Sequence, residues 1–539
     1  MKKQNMSDSI EKASEEVAQL ILKDMIRNRR GLWDAKIRAS EKYGIAGVIR
    51  NSDVLRCIPE GKRRKFAELL RIRPMRTISG VNVIAVMTKG DCPGRCIYCP
   101  RGENAPKSYT GREPAAMRAI QNEYDPLRQV DSRVRQLEEI GHKVSKCELI
   151  IMGGTFNSMP QEYQQWFVKR CFDALNGVES KTLEEAQLAN ENAVRRMVGL
   201  TIETRPDWAR RKEVDELLRY GTTRIELGVQ TLDDEVYRKV KRGHGVKEVA
   251  EATRVCKDSL LKVLYHMMPG LFAEKKDDIR NFKNLFEDRR FRPDMLKIYP
   301  CLVMEGTELH KLWMDGKFKP YSTEEAAEVI AEAMKFVPRY VRVMRVQRDI
   351  PSHLIADGVR KSNLRQLVEQ KLVKDGRRCE CIRCREIGYR IMKDGIEPEL
   401  DSIKLNRMDY DASGGEEIFL SFDEVKHDAL LGFLRLRIPS EKTHRKELRG
   451  AAGVRELHVY GEMLPVGEKR VKEFQHMGLG RKLLKEAERI AKEEFDCRKL
   501  AVISGVGVRN YYFKLGYKRD GPYVSKKLVS KGDFPVKVK

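Results

Sequence analysis

The strongest constraint on the fold is a strand–loop–helix pattern that repeats six times between residues 81 and 337. Each repeat begins with an apolar, β-prone run, continues through polar residues with Gly or Pro, and ends in a stretch with helical spacing. The apolar runs are Val81–Thr88, Cys147–Met152, Val198–Glu203, Arg224–Gln230, Lys262–Met267 and Met295–Tyr299. Strands joined by helices pair in parallel, with the helices outside the sheet. The pattern predicts an α/β fold with a partial (βα)6 barrel over residues 77–337.

The first apolar run leads into a loop with three closely spaced cysteines, Cys92, Cys96 and Cys99. Thiolates in a C-x3-C-x2-C arrangement can bind one metal centre, and three ligands on a four-iron cluster leave one iron open. A tetrahedral zinc is the alternative, but it needs a fourth ligand and no further Cys or His lies close in sequence. The arrangement resembles the radical S-adenosylmethionine (SAM) superfamily, which implies a [4Fe-4S] cluster whose open iron binds SAM.

Distinctive residues also follow the other predicted strands, where parallel sheets place their ligand sites. They are Gly153, Gly154 and Thr155 after the second strand, Glu203 and Arg205 after the third, and Gln230 after the fourth. Each motif alone is a weak signal, but all of them fall at one end of the predicted sheet. We therefore predict that these residues bind the cofactor.

Residues 1–76 are predicted to form a basic helical segment. The runs Arg27–Arg30 and Lys62–Lys65 lie on predicted helices without a catalytic motif, and the chain has a formal net charge of +25. Because each neutralised phosphate releases a counterion, such an excess favours a nucleic-acid partner. Trp33 and Tyr43, among the basic residues, either stack on nucleobases or pack between helices.

Residues 338–394 are predicted to connect two domains, with one more strand at Arg342–Arg348. Cys379, Cys381 and Cys384 form a C-x-C-x2-C motif that is typical of structural zinc, which would stiffen a segment without a core of its own. The fourth ligand is not evident. His353 is the nearest upstream histidine, although a single histidine is more often a surface or core residue.

Nothing in the sequence predicts a membrane protein. No apolar run approaches the ~20 residues that span a bilayer, and no apolar signal region follows the first residues. We expect a cytoplasmic protein, in which isolated cysteines are reduced and buried.

From residue 395 to 539 the pattern changes to shorter strands, followed by a Gly-containing turn that opens an amphipathic helix. The turn carries Gln475, Gly478, Leu479, Gly480 and Arg481. Such a turn directs backbone amides at an anion beside a helix N-terminus. With an apolar strand before the turn and a Tyr-x-x-x-x-Tyr pattern (Tyr512 and Tyr517) near the end, the segment resembles the GNAT acetyltransferase fold, a mixed α/β domain whose turn binds the acetyl-CoA pyrophosphate.

A radical SAM barrel followed by a GNAT domain resembles the family of Elongator catalytic subunits. Further matching motifs are Glu226–Thr231, Lys241–His244, Glu456–Gly461 and Arg509–Tyr512. The resemblance covers residues 75–539 and implies that a carboxymethyl-type group is placed at C5 of the wobble uridine (position 34), in the anticodon stem-loop of tRNA. The compact first cysteine gap differs from the longer gap of the eukaryotic subunits. It favours the archaeal or bacterial type, which needs no other Elongator subunits; a homodimer is compatible with the resemblance.

The resemblance also implies individual roles. Glu456, Leu457, His458 and Val459 line acetyl-CoA, Leu479, Gly480 and Arg481 bind its phosphates, and Lys146 is a further CoA contact. Tyr512, with Tyr511 beside it, approaches the thioester as a candidate proton donor. Lys241 and Arg242 are expected near SAM or substrate, with Lys241 as a candidate catalytic residue, although a solvated Lys-Arg pair is the usual alternative for such a run. The SAM-derived radical is expected to take a hydrogen from the acetyl methyl group before the carbon–carbon bond forms.

Two other functions use parts of this sequence. A protein lysine N-acetyltransferase, acting on histone-like tails, needs only the GNAT domain. A catalytically idle tRNA-binding module has no need for Cys92, Cys96 and Cys99 together. The complete cysteine motif and the basic N-terminal segment favour the tRNA-modifying enzyme.

Overall fold

The computed structural model describes residues 2–45, 47–70, 79–460 and 478–528. The first 70 residues form a helical unit around a core that includes the fully buried Val17, Ile21 and Val54. The helices are α1 (Lys2–Leu22), α2 (Arg29–Lys42), α3 (Asn51–Cys57) and α4 (Glu60–Leu70). The predicted helical N-terminal segment is thus confirmed.

A seven-stranded parallel sheet forms the barrel, with its strands in chain order. The strands are β1 (Asn82–Met87), β2 (Lys146–Met152), β3 (Arg196–Thr204), β4 (Arg224–Gln230), β5 (Lys262–Met267), β6 (Met295–Ile298) and β8 (Arg342–Arg345). The helices of this region are α5 (Pro114–Gln121), α6 (Pro126–Glu139), α7 (Gln161–Asn176), α8 (Leu183–Asn190), α9 (Arg211–Arg219), α10 (Asp234–Lys239), α11 (Val246–Asp258), α12 (Lys275–Glu287), α13 (Glu308–Met314) and α14 (Thr323–Met334). A short antiparallel pair, β7 (Val303–Met304) with β9 (Ile355–Asp357), lies beside the sheet.

The six strands predicted for the barrel are confirmed, each within two residues of its predicted ends. The sequence analysis assigned the seventh strand, β8, to the connector. In the structure β8 pairs in parallel with β6, from Met295 opposite Arg342 to Lys297 opposite Arg345, and extends the barrel sheet.

The two faces of the barrel strands differ in polarity. In β2, Cys147, Leu149 and Ile151 are fully buried in the core shared with the helices. Lys146 and Glu148 alternate with them, are less buried and line a cleft. The period of two therefore makes the outer face apolar and leaves the inner face, toward the bore of the barrel, free to carry charge.

The connector packs against the barrel. It contains α15 (Leu364–Lys374), α16 (Ile382–Arg385) and α17 (Ile387–Asp394). The backbone N–H of Ile382 donates to the carbonyl of Val341 at 2.9 Å, next to β8. The segment with the C-x-C-x2-C motif is therefore held on the last barrel strand.

A second seven-stranded sheet, of mixed direction, forms the GNAT-type domain in the order β10-β11-β12-β13-β14-β16-β15. Its elements are β10 (Ile403–Ala412), β11 (Gly415–Glu424), β12 (Ala429–Ile438), β13 (Ala451–Val459), α18 (Leu479–Glu493), β14 (Lys499–Val502), α19 (Arg509–Phe513), β15 (Lys518–Asp520) and β16 (Tyr523–Lys527). Ile418, Leu434, Val454, Leu483 and Leu500 form its fully buried core. The predicted fold class is confirmed, and none of the described helices has the length and apolar character to cross a membrane.

Candidate functional site

The cysteine loop follows β1 and touches the turn after β2. Gly153 and Gly154 adopt positive φ values of 104° and 65°. A Cβ on Gly154 would lie 2.9 Å from the carbonyl of Gly90, so the turn packs tightly against the cysteine loop. The hydroxyl of the next residue, Thr155, lies 3.1 Å from Sγ of Cys92. The structure therefore brings the predicted Gly-Gly-Thr segment to the cysteines.

Two polar groups beside the cysteines have no protein partner among the described residues. Arg205 is 6% exposed and donates to Asp207 and to the carbonyl of Arg242, but its Nη1 makes no hydrogen bond. This atom lies against Gly94, where a Cβ would come within 1.9 Å of it. The hydroxyl of Tyr98 is likewise buried and unpaired. Because an unpaired buried donor costs about 1–3 kcal/mol, the pocket suits a polar, anionic group such as a cluster with SAM.

The two cysteine motifs differ in geometry. The sulfur atoms of Cys379, Cys381 and Cys384 all lie within 4.8 Å of one another, as ligands of one tetrahedral ion must. No second trio of cysteines in the described parts of the chain converges in this way. The three sulfurs of the Cys92 loop do not all converge in this way, and a cluster, in which each cysteine binds a different iron, does not require it. This geometry weighs against the zinc alternative for that loop.

The other residues predicted for this end of the barrel have distinct surroundings. Glu203 accepts hydrogen bonds from the hydroxyl of Tyr109 at 3.0 Å and from Nζ of Lys297 at 3.3 Å. Gln230 ends β4 with a φ of 75°. Lys241 is exposed and pairs with Glu308 at 2.6 Å, so its catalytic role stays a prediction.

A cleft of about 1120 Å³ separates the barrel from the GNAT-type sheet. It contains nearly all of the residues predicted to contact acetyl-CoA: Lys146, Glu456, Leu457, His458, Val459, Gly478, Leu479, Gly480, Arg481, Tyr511 and Tyr512. Gln475 lies outside the described residues. The barrel residues in the cleft, such as Thr223, Lys262 and Met295, lie at the amino ends of their strands. The cleft and the cysteine loop therefore occupy opposite ends of the barrel.

One wall of the cleft forms where β13 of the GNAT-type sheet extends beyond the end of β14. β13 and β14 pair in parallel only from Ala451 to Val454, although β13 continues to Val459. Gly478, at a φ of 63°, starts α18 at the edge of this gap and presents the helix N-terminus to the cleft. Nε2 of His458 is buried and has no partner among the described residues, as expected where a polar ligand supplies one.

The two tyrosines in the cleft differ in burial. Tyr512 is 5% exposed, and burial raises the pKa of its hydroxyl, which therefore keeps its proton at neutral pH. Tyr511 is 39% exposed, and its ring contacts that of Tyr512 edge to face at 5.1 Å. Either hydroxyl could donate a proton to a leaving thiolate.

A chain of charged side chains runs through the bore between the two sites, and the sequence analysis missed it. Arg224 pairs with Glu148 at 2.5 Å and approaches Glu226 at 3.5 Å; Lys297 then bridges Glu226 and Glu203. Burial alone would raise the pKa of Glu226, but the ammonium group of Lys297 holds this pKa well below its usual range. The chain starts in the cleft and ends at Glu203, two residues before Arg205, which lies against Gly94 of the cysteine loop.

Models of four protein families match the chain. They are the ELP3 N-terminal domain (residues 10–78), the radical SAM superfamily (residues 87–286), the radical SAM C-terminal domain (residues 293–374) and the GNAT acetyltransferase family (residues 392–517).

Similar proteins cover most of the chain. It is 52% identical over 489 residues to the tRNA uridine(34) acetyltransferase of Methanocaldococcus jannaschii, with 89% of this chain and 90% of that protein covered. It is 44% identical over 507 residues to Elongator complex protein 3 of Homo sapiens, with 92% of each covered. The solved structure of the archaeal Methanocaldococcus infernus Elp3 with an N-terminal deletion (1–46) matches with a TM-score of 0.75 and 50% identity, over 84% of this chain and 100% of that chain.

Proposed function

The chain belongs to the Elp3 family, and from that premise we propose that it is a tRNA uridine(34) acetyltransferase, which uses acetyl-CoA and SAM-derived radical chemistry to modify C5 of the wobble uridine. The observation that carries the proposal is the arrangement of the two sites. The cysteine loop and the acetyl-CoA cleft lie at opposite ends of one bore, joined by the charged chain from Glu148 to Glu203. The bore thus connects the two proposed binding sites within one chain.

The protein holds the reactants and shields them from water. The bound cluster and SAM supply the radical that is needed to form a carbon–carbon bond at uracil C5. Cys92, Cys96 and Cys99 would hold the cluster. The unpaired Nη1 of Arg205 and the Gly153–Thr155 turn support SAM binding beside it. In the cleft, the N-terminus of α18 would bind the acetyl-CoA phosphates. The Tyr512 hydroxyl, which lines the cleft, would hydrogen-bond the thioester or the leaving thiolate.

The geometry disfavours a protein lysine N-acetyltransferase. Such an enzyme must admit a lysine side chain to the acetyl group. Here the barrel forms the opposite wall of the cleft, through Lys146, Val198 and Lys262. A lysine side chain of a protein substrate would have to enter between these two walls.

Anaerobic reconstitution tests the proposal. The chain is supplied with iron, sulfide, a reductant, SAM, acetyl-CoA and tRNA, together with a histone-like peptide as competing substrate. We expect 5′-deoxyadenosine and a carboxymethyl-type uridine in the tRNA, both detected by mass analysis. Acetylated peptide with unmodified tRNA would show that the lysine acetyltransferase alternative is right. Action without other Elongator subunits, the homodimer and the cytoplasmic location stay predictions.

We propose that Cys379, Cys381 and Cys384 hold a structural zinc ion. Their converging sulfurs support this, as does Nη2 of Arg365, which donates to Sγ of Cys384 at 3.4 Å. His353 is exposed and does not belong to the convergent group, so it is not supported as the fourth ligand.

The Cys381→Ser substitution is expected to abolish zinc binding and lower the unfolding temperature, because the motif joins the connector to β8. Metal analysis should find unchanged iron. The control is Cys497→Ala, which removes a thiol that is 7% exposed in the GNAT-type domain and should leave zinc unchanged. Purified wild-type protein without zinc would refute the assignment.

We propose that the N-terminal helices hold tRNA. Trp33 is 53% exposed, with Nζ of Lys36 lying 5.6 Å from its ring centroid, an arrangement that suits stacking on a base. The Tyr43 hydroxyl instead donates to Glu16 at 3.0 Å, which favours the helix-packing alternative for Tyr43.

Deleting residues 1–70 is expected to weaken tRNA binding at least about 100-fold at low salt and to flatten its salt dependence, since phosphate contacts give affinity without reading bases. Titrations at two salt concentrations measure both effects. Acetyl-CoA binding and iron content serve as controls and should not change. Equal affinity of the truncated and intact chains would show that the helices are only a scaffold.

A further inference from the structure

We propose that Arg242 sets the reduction potential of the cluster held by Cys92, Cys96 and Cys99. The inference rests on the proposed cluster and adds a positioning and tuning residue that is not itself a ligand. Arg242 lies in the loop between α10 and α11, next to the exposed Lys241, and its own side chain turns inward.

The guanidinium of Arg242 is 5% exposed and uses all three of its nitrogens. Nη1 donates to Sγ of Cys96 at 3.3 Å, Nη2 to the carbonyl of Gly228 and Nε to Nε2 of His244 at 3.0 Å. A Cβ on Gly228 would lie 2.7 Å from Nη2, so this position in β4 leaves room for the guanidinium only as glycine. Three partners from separate segments thus fix Nη1 on a cluster ligand.

His244 holds the guanidinium in place as a neutral ring. Its Nε2 can accept from Arg242 only when the proton is on Nδ1, which lies 3.4 Å from the carbonyl of Gly245. Burial and the nearby guanidinium lower the pKa of His244 to about 3, so the ring stays neutral at physiological pH. The ring of Tyr237 packs against it edge to face at 4.8 Å.

Arg242 is a buried cation without a carboxylate. Arg205, its neighbour, pairs with Asp207 at 2.9 Å, but no carboxylate lies within ion-pair distance of Arg242 in the described parts of the chain. Buried charges are rarely tolerated without a counter-charge. A cluster with three thiolates carries net negative charge, which grows by one when the cluster is reduced. Arg242 therefore stabilises the reduced state more than the oxidised state, and hydrogen bonds to ligand sulfurs act in the same direction.

The Arg242→Met substitution keeps the chain length while it removes the charge and the donors. We expect the ratio of reduced to oxidised cluster at a fixed potential to fall about tenfold, a shift of about 59 mV to more negative potential for one electron. Anaerobic redox titration, followed by the electron paramagnetic resonance of the reduced cluster, measures this potential.

Three further variants are compared with Arg242→Met. Arg242→Lys keeps the positive charge and should shift the reduction potential less than Arg242→Met does. His244→Phe keeps the ring contact but removes the acceptor, and should shift the potential in the same direction. Arg437→Met removes a fully buried guanidinium at the domain interface and should leave the potential unchanged.

Iron content separates the possible failures. If the wild-type chain binds no cluster, the proposed function is wrong as well. If Arg242→Met binds iron fully and titrates at the wild-type potential, only the inference about Arg242 is wrong. If Arg242→Met binds no iron, the iron content and the reduction potential of Arg242→Lys and His244→Phe test the inference instead. Loss of iron in all three variants would mean that Arg242 shapes the loop, which would overturn the inference.

Discussion

Replacing Cys92, Cys96 and Cys99 together with serine is expected to remove the cluster iron and to lower tRNA modification by at least about 10⁶-fold, the lower end of enzymatic rate enhancements. Serine hydroxyls are poor ligands for iron–sulfur clusters, which select soft thiolates. The cysteines occupy a loop outside the main barrel core, so the fold should persist. Iron and sulfide analysis, 5′-deoxyadenosine formation and circular dichroism measure these three expectations.

Two controls make the result specific. Cys171→Ala removes a fully buried thiol from α7 and should retain full iron content. Acetyl-CoA binding by the triple variant should equal that of the wild type, because the cleft lies at the other end of the barrel. Normal iron content in the triple variant would contradict the cluster assignment. Loss of acetyl-CoA binding would instead point to a collapsed fold.

Features that depend on neighbours in sequence could be predicted. The cysteines of one cluster lie within a single loop, and the Gly478–Arg481 turn needs only local backbone to meet an anion. The barrel strands β1–β6 were recognisable because their apolar, β-prone residues are followed by polar, Gly or Pro residues at the strand ends. The edge strand β10 is hard to recognise from the sequence because charged residues recur along it and most of its side chains are exposed.

The missed features depend on strand register. Lys297 lies in a strand that is otherwise apolar, so it gave no sign of a role. Its partners Glu203 and Glu226 come from two other strands, and only the parallel pairing brings the three together. Arg242 was expected near SAM or substrate, but its contact with Cys96 joins residues 146 positions apart and had no sign in the sequence. The sequence offered one usable signal, namely that the strands of the barrel carry charges on a shared inner face.

The Asp294→Asn substitution is expected to lower the free energy of unfolding by about 3–5 kcal/mol, because it removes the counter-charge from a buried ion network. Eight charged side chains meet where the barrel touches the GNAT-type sheet: Lys257, Asp258, Asp294, Glu417, Arg435, Arg437, Arg455 and Glu456. Four are cations and four are anions, so these eight charges balance; the less buried Arg254 and Lys262 also pair with Asp258 and Glu456.

Asp294 is the central anion of this network. It is fully buried, accepts from the N–H of Val263 at 2.8 Å, and pairs with Arg455 and with Lys257 at 3.3 Å. Burial alone would raise the pKa of Asp294, but Arg455 and Lys257 hold this pKa well below its usual range. The asparagine variant would leave these cations without their main counter-charge, and equilibrium denaturation measures the loss.

Two further variants test whether the loss of charge balance causes the lower free energy of unfolding. Glu328→Gln breaks an exposed ion pair with Lys275 and should lower the free energy of unfolding by no more than about 1 kcal/mol. Asp294→Asn combined with Arg455→Met restores balance and should cost less than the sum of the two single substitutions, since residues in contact are not additive. Wild-type stability of Asp294→Asn would show that the network does not hold the domains together.

The Asp294→Asn variant also tests whether the cleft and the cysteine loop must be aligned for tRNA modification. Arg455 and Glu456 belong both to the network and to the wall of the acetyl-CoA cleft, so a loosened interface should displace the cleft from the bore. SAM cleavage depends on the barrel alone and is expected to continue. The yield of modified uridine per 5′-deoxyadenosine formed should therefore fall. An unchanged ratio in a measurably destabilised variant would mean that the reaction tolerates movement between the domains.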